Sequence, residues 1–229
     1  MENVLDSADV ERWIRELGGL FASEEVAIKN RRGAVYAARN ILTSLPQCCD
    51  ILCIPRLSDL LSQTLGPEFG LVRGLYFDKH PDRTWSLPWH KDLTIAVKDN
   101  SLASSQFTKP TNKSGVPHVE APTSVLRQML TLRIHLDRVT DENGPLEVAV
   151  GSHAHGKQPA AAHVVKKILV NAGDVLAMRP MLSHASGSSD PETKMHRRIL
   201  HLEFAGSREL ADSFQWFQFL QSTRGSNRT

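Results

Sequence analysis

No apolar run in the sequence approaches the roughly 20 residues that a helix needs to cross a bilayer, so no transmembrane segment is expected. An excess of one charge is also missing. The 27 Lys and Arg residues face 25 Asp and Glu, a formal net charge of +2, and the basic residues are too dispersed to form a nucleic-acid or membrane surface. Cysteine is scarce: Cys48, Cys49 and Cys53 share one apolar segment, and no second cluster completes a four-ligand metal site. They read as small buried thiols of a reducing compartment. The start "MENVLDSADVERW" lacks the basic-then-apolar layout of a secretory leader, and the expected location is cytoplasmic. Repeats and low-complexity tracts are absent as well.

What is present is an ordinary globular composition, 41% hydrophobic and 23% charged over 229 residues, enough for one substantial core. A single domain over residues 1–229 is expected. Its first 67 residues read as helical support. "SADVERWIRELGG" places Val10, Trp13, Ile14 and Leu17 at helical spacing before a Gly18-Gly19 stop. A second helix is expected over 24–45, ended by Pro46, and a third over 57–65 before Gly66-Pro67.

From Phe69 the period shifts to short apolar runs broken by Gly, Pro, Asn and Asp. Strands are expected over 71–77, 93–97, 129–136, 146–150, 164–170, 175–178 and 199–204, with an eighth near Trp85 or Ser183. Helices followed by strands indicate an α+β, mainly β, fold, and this strand count suits a cupin-like jelly roll over 68–206 backed by the amino-terminal helices. An immunoglobulin-like sandwich would leave the helical third without a place. Residues 98–122 are polar, proline-containing and without clear period, as expected of a lid-like insertion. Residues 207–229 form a carboxy-terminal extension.

The chemistry concentrates in "SLPWHKDLTIAV". In an extended strand residues i and i+2 share a face, so His90 and Asp92 would present an imidazole beside a carboxylate. That is half of a site in which two histidines and one carboxylate hold iron(II) on one face and leave the other open. The candidate for the third ligand is His184 in "MRPMLSHASGSS", just beyond an apolar strand introduced by the turn "NAGD".

The segments "LPWHKD", "LRIHLDRVTDENGPLEVAVGSH", "AGDVLAMRPMLSHASG" and "RRILHLEFA", in this order, resemble the phytanoyl-CoA dioxygenase family over about 71–204. The resemblance implies a double-stranded β-helix that uses iron(II), 2-oxoglutarate and O2, with His90, Asp92 and His184 as metal ligands. It also implies an arginine on the last core strand as anchor for the distal carboxylate of 2-oxoglutarate. Arg197 is the match counting back from Phe204, and Arg198 competes for the role. Arg198 shares a strand face with Leu200, Leu202 and Phe204, whereas Arg197 shares the more polar one with Ile199, His201 and Glu203. A guanidinium suits a buried carboxylate because its fork satisfies both oxygens. Ser186 and Arg133 match further cosubstrate positions, although Arg133 could instead pair with Asp137 or Glu203. His135 and His201 are candidate pocket residues. Asn143-Gly144 reads as a hairpin turn.

By the same resemblance the reaction is hydroxylation of a C–H bond in a small molecule, with 2-oxoglutarate converted to succinate and CO2. Halogenating relatives replace the carboxylate ligand with a small residue, which Asp92 argues against. The alternative is a non-catalytic cupin-like barrel that binds a metal or small ligand. A pure binding barrel has no need of both a complete triad and a cosubstrate arginine. The sequence does not indicate an oligomeric state.

Overall fold

The computed structural model describes residues 1–20, 27–29, 35–82, 84–158 and 164–221. Helix α1 (Ser7–Leu20) buries Val10, Trp13 and Leu17 on one face and runs through Gly18-Gly19 instead of stopping there. Next come strands β1 (Ala27–Lys29) and β2 (Val35–Ala38), helix α2 (Ile41–Ser44), a 3-10 turn over Pro46–Cys53 and helix α3 (Pro55–Leu65). The helix expected over 24–45 is therefore corrected to a β-hairpin and one short turn of helix, with 21–26 and 30–34 outside the described residues. The apolar spacing there is compatible with a helix, but "VYAA" also suits a strand. A free sheet edge offers it a ladder that local spacing cannot reveal. The cysteines are free thiols, with Cys48 buried and its pKa pushed by burial up to about 12, while Cys53 is exposed.

The remaining elements are β3 (Gly70–Lys79), β4 (Leu87–His90), β5 (Thr94–Ala96), β6 (Thr108–Lys113), β7 (Val116–Glu120), α4 (Thr123–Arg127), β8 (Met129–His135) and β9 (Leu146–Ala149). After a 3-10 turn over Ser152–His155 follow β10 (Val165–Ile168), β11 (Val175–Met178), β12 (His184–Ser186) and β13 (Arg197–Ala205). They form a six-stranded sheet β1-β2-β3-β13-β8-β11, a four-stranded sheet β10-β9-β12-β4 and a three-stranded sheet β5-β7-β6. All pairings within them are antiparallel. The first two sheets are the walls of the jelly roll. Both candidates for an eighth strand exist, as β4 and β12. Among the described residues no helix is long and apolar enough to cross a membrane.

Segment 98–122, expected to lack regular structure, contains the hairpin β6–β7 stacked on β5. Its period is masked by Pro110, which falls where the β6 register shifts, and by Pro117. Residues 207–221 also pack on the domain. Phe214 and Trp216 are buried with Val97, Phe107 and Leu126, and Leu220 bridges to Leu71.

Alternation along the large sheet decides where the site lies. Leu130, Leu132, Ile134 and Leu136, with Leu200, Leu202 and Phe204, pack against Trp13, Leu17, Leu57 and Leu61 of the helices. At Gly74 on β3 the side chains of Ile41 and Leu42 come so near that an added Cβ would lie 2.8 Å from them, so α2 rests on bare backbone. The opposite parity, Thr131, Arg133 and His135 with Arg197, Ile199, His201 and Glu203, faces the interior and is equally buried.

Candidate active site

Between the two walls lies a cavity of about 370 Å³. The large sheet contributes Arg73, Leu75, Phe77, Arg133, Arg197 and His201 to its lining, and the small sheet contributes Leu87, His90, Leu146, His184 and Ser186. His90 is the last residue of β4, and its register partner in β12 is His184, so the sheet ladder itself sets the two rings side by side, 4.2 Å between centroids. Asp92 lies beyond the strand end, in the link to β5, with its N–H donating to the Pro180 carbonyl at 2.9 Å. Strand alternation is thus not what pairs it with His90; the turn after β4 is. Lys91 turns the other way and donates to the carbonyls of Ser152 and Gly156.

The three side chains converge. His90 Nε2 is 3.9 Å from Asp92 Oδ1 and His184 Nε2 is 3.6 Å from Asp92 Oδ2, and one ligand atom from each residue lies within 4.8 Å of the others. Each imidazole directs Nδ1 at a carbonyl two residues upstream, Pro88 at 2.7 Å and Leu182 at 2.9 Å. A proton on Nδ1 satisfies that contact and leaves Nε2 as a lone pair, the tautomer a metal requires. Burial pulls His184 down to about 4, so it is neutral at pH 7. Burial by itself would raise the Asp92 carboxyl, but His184, His201, Arg73 and His90 outweigh it and hold the group below the usual range. Asp92 Oδ2 is buried without a hydrogen-bond partner. Such an orphaned acceptor facing two lone pairs is unfavourable unless a cation sits among them, so the donor set fits an iron(II) ion.

One end of the cavity is crowded with cations. Arg197 donates to Ser186 Oγ at 3.1 Å, and the same hydroxyl accepts from Lys79 Nζ at 2.7 Å. Lys79 is fully buried, stacks 4.8 Å over the Trp85 ring and also donates to the Gly187 carbonyl. Gly144, at φ +66°, brings its own carbonyl to Lys79 and Ser186, and an added Cβ there would lie 2.8 Å from Nζ. The Asn143-Gly144 turn therefore shapes the pocket as well as the barrel. Arg133 donates to His201 Nδ1 at 3.1 Å. Burial, with mutual repulsion, pulls Lys79 down to about 7 and Arg197 to about 9, and burial pulls Arg133 to about 10. The Nε atoms of Arg133 and Arg197 are buried without partners. Three buried cations held by neutral groups make a site for an anion.

The two arginines of "RR" divide as their parity requires. Arg197 faces the cavity, while Arg198 makes a bidentate pair with Asp137 at 2.6 and 2.9 Å outside it. Glu203 is held by Arg73, its register partner on β3, and by His201 Nε2 at 3.2 Å. Arg133 thus takes neither Asp137 nor Glu203 as an ion-pair partner, and His201 lines the cavity. His135 is buried with Nδ1 directed at the Asp174 carbonyl, which gives it a structural contact.

Sequence reasoning missed Lys79, Arg73 and Lys113. The signal lay in "GLVRGLYFDK", where Arg73 and Lys79 share the parity of Leu75 and Phe77 on one long strand, a pattern of charges at both ends of an apolar face.

Inside the jelly roll, the described residues thus set two imidazoles and a carboxylate beside a buried cationic pocket. The chain belongs to the phytanoyl-CoA dioxygenase family, whose model matches residues 1–194. Iron, 2-oxoglutarate and dioxygen are the cofactor and cosubstrates of that family. The chain is 25% identical over 158 residues to L-proline trans-4-hydroxylase of Streptomyces griseoviridis, covering 68% of this chain but only about half, 51%, of that relative's length. Its fold is similar to that of EctD from S. alaskensis with bound Fe, with a TM-score of 0.67 and 17% identity over 90% of this chain and 71% of that one. It is also similar to the epimerase SnoN in complex with Fe3+, alpha ketoglutarate and nogalamycin RO, with a TM-score of 0.63 and 15% identity over 89% and 77% of the two chains.

Proposed function

We propose that this protein is an iron(II)- and 2-oxoglutarate-dependent dioxygenase that hydroxylates a C–H bond of a small organic molecule. The observation that carries the reading is the orphaned Asp92 carboxylate facing the Nε2 atoms of His90 and His184, in the cavity that Arg133 and Arg197 also line. His90, Asp92 and His184 would hold the metal, and Arg197, Ser186 and Arg133, joined by Lys79, would receive the cosubstrate carboxylate. With iron(II) held there, dioxygen would oxidise 2-oxoglutarate to succinate and CO2, one oxygen atom entering succinate and the other the substrate C–H bond as a hydroxyl.

The chain's own residues do the rest. The carbonyls of Pro88 and Leu182 keep the imidazoles in one tautomer and orientation. Leu75, Phe77 and Leu146 give the cavity an apolar lining for the hydrocarbon part of a substrate. The hydroxylase reading is supported by the similar L-proline hydroxylase; the similar epimerase marks epimerisation as the competing outcome. Incubation of purified protein with iron(II), 2-oxoglutarate and a panel of small metabolites should form succinate and a product 16 mass units heavier than one panel member. Substrate-independent failure to consume 2-oxoglutarate, or a product of unchanged mass, would refute it.

A further inference from the structure

The far end of the cavity carries a second set of cations. Lys113, the last residue of β6, is about half-buried, and its Nζ donates to Thr94 Oγ1 at 2.7 Å. Burial, then Arg73 and Arg39, lower its pKa, with Glu203 and Asp92 opposing. Arg73 lines the same wall. Its NH2 is taken by Glu203, but its Nε is buried with no partner. Lys113 and Thr94 reach this wall through the β5–β7–β6 layer, so they are not part of the barrel that holds the metal triad.

Charge decides what this end can take. Iron(II) and the 2-oxoglutarate dianion cancel, Glu203 is spent on Arg73, and among the described residues lining the cavity Asp92 is the carboxylate left to offset Arg133, Arg197 and Lys113, with Arg39 a further cation on the lining and Lys79 behind it on Ser186. Even with Lys79 neutral, at least two positive charges are left over in a cavity where they are expensive. The volume of about 370 Å³, shared with the cosubstrate, is at the low end of small-molecule pockets. Resting on the oxygenase reading, we propose that the primary substrate is a compact organic anion. Its carboxylate or phosphate is received by Lys113 Nζ, the Thr94 hydroxyl and the Arg73 guanidinium, which makes Lys113 the residue that sets specificity.

The test uses matched probes: cyclopentanecarboxylate, cyclopentyl phosphate and cyclopentanecarboxamide, with cyclopentylamine as the cationic member. Binding is read by thermal shift and calorimetry on both the iron/2-oxoglutarate-loaded and the metal-free protein. At least one of the two anions should bind tenfold or more tighter than the amide. Which of the two binds tighter identifies the headgroup. In Lys113→Gln the preference should collapse towards unity, and in Lys113→Glu the amine should overtake both anions. The visible band of the iron–2-oxoglutarate chelate, whose ligands and cosubstrate anchor are left unchanged in both variants, shows that each variant is folded and loaded. No anion outbinding the amide, or an unchanged preference in Lys113→Gln, would overturn the proposal. A missing chelate band in wild type would instead refute the oxygenase reading, while binding to the metal-free protein would still decide this one.

Discussion

The two faces of β8 and β13 are equally buried and opposite in character. Towards the helices stand Leu130, Leu132, Ile134, Leu200, Leu202 and Phe204; towards the small sheet stand Thr131, Arg133, His135, Arg197, His201 and Glu203. Burial therefore does not separate core from site. What separates them is partner supply: the outer face meets apolar helices, and the inner face meets polar groups whose valences are only partly filled. One face contributes stability, and the other holds desolvated charge in readiness for ligands at some cost to stability.

The sharpest way to break this division is to remove a metal ligand. His184→Ala should abolish iron-dependent 2-oxoglutarate turnover while leaving the melting temperature of the metal-free protein within a few degrees of wild type. A collapse of the fold would show that the inner face is structural after all. The converse substitution, Leu202→Ala on the outer face, should cost about 2–5 kcal/mol in denaturant unfolding and leave the 2-oxoglutarate KM unchanged in the protein that remains folded.

A smaller effect separates neighbouring residues of opposite parity. Arg197→Ala should raise the 2-oxoglutarate requirement by roughly 10- to 100-fold, the loss of a charged hydrogen bond worth about 1.5–3 kcal/mol. Arg198→Ala, which breaks the partly exposed pair with Asp137, should cost about 1 kcal/mol of stability or less and leave KM alone. The reverse ranking would transfer the anchor to Arg198.

Lys79 gives the smallest and most graded effect. Its pKa, pulled by burial and then by Arg197 and Arg133 to about 7, means that the free pocket loses this charge as pH rises through 7. A bound dianion restores the proton, so 2-oxoglutarate affinity should fall above pH 7 by up to about tenfold per pH unit, and Lys79→Met should flatten that slope. The stability sign runs the other way. Between about pH 7 and 10.5 the unfolded chain binds a proton that the folded chain does not, so this lysine's contribution to ligand-free stability rises with pH across that window.

The convergence of His90, Asp92 and His184 was legible from the His-X-Asp pair and from a third histidine in a separate segment, and the parity of "RRILHLEF" put Arg197 on the polar face of β13. The core strands were legible because their two-residue period coincides with burial on at least one face. Two things were not. The hairpin β1–β2 and the pair β6–β7 form through long-range sheet edges, and neither Val35–Ala38 nor the proline-bearing 108–120 carries enough local pattern to reveal a partner. Lys79 and Lys113 were hidden for a different reason. A lysine is ordinarily a surface residue, and only the register that faces it inward shows its buried role.

On the proposed function, the Asp92 carboxylate and the two imidazoles would hold an iron(II) ion to which 2-oxoglutarate binds with its distal carboxylate at Arg197. Anaerobic titration of iron(II) into protein with 2-oxoglutarate measures this directly. A weak visible charge-transfer band should grow to one equivalent of iron and vanish in His90→Ala. The absence of any band in the folded wild-type protein, or its persistence in His90→Ala, would contradict the account.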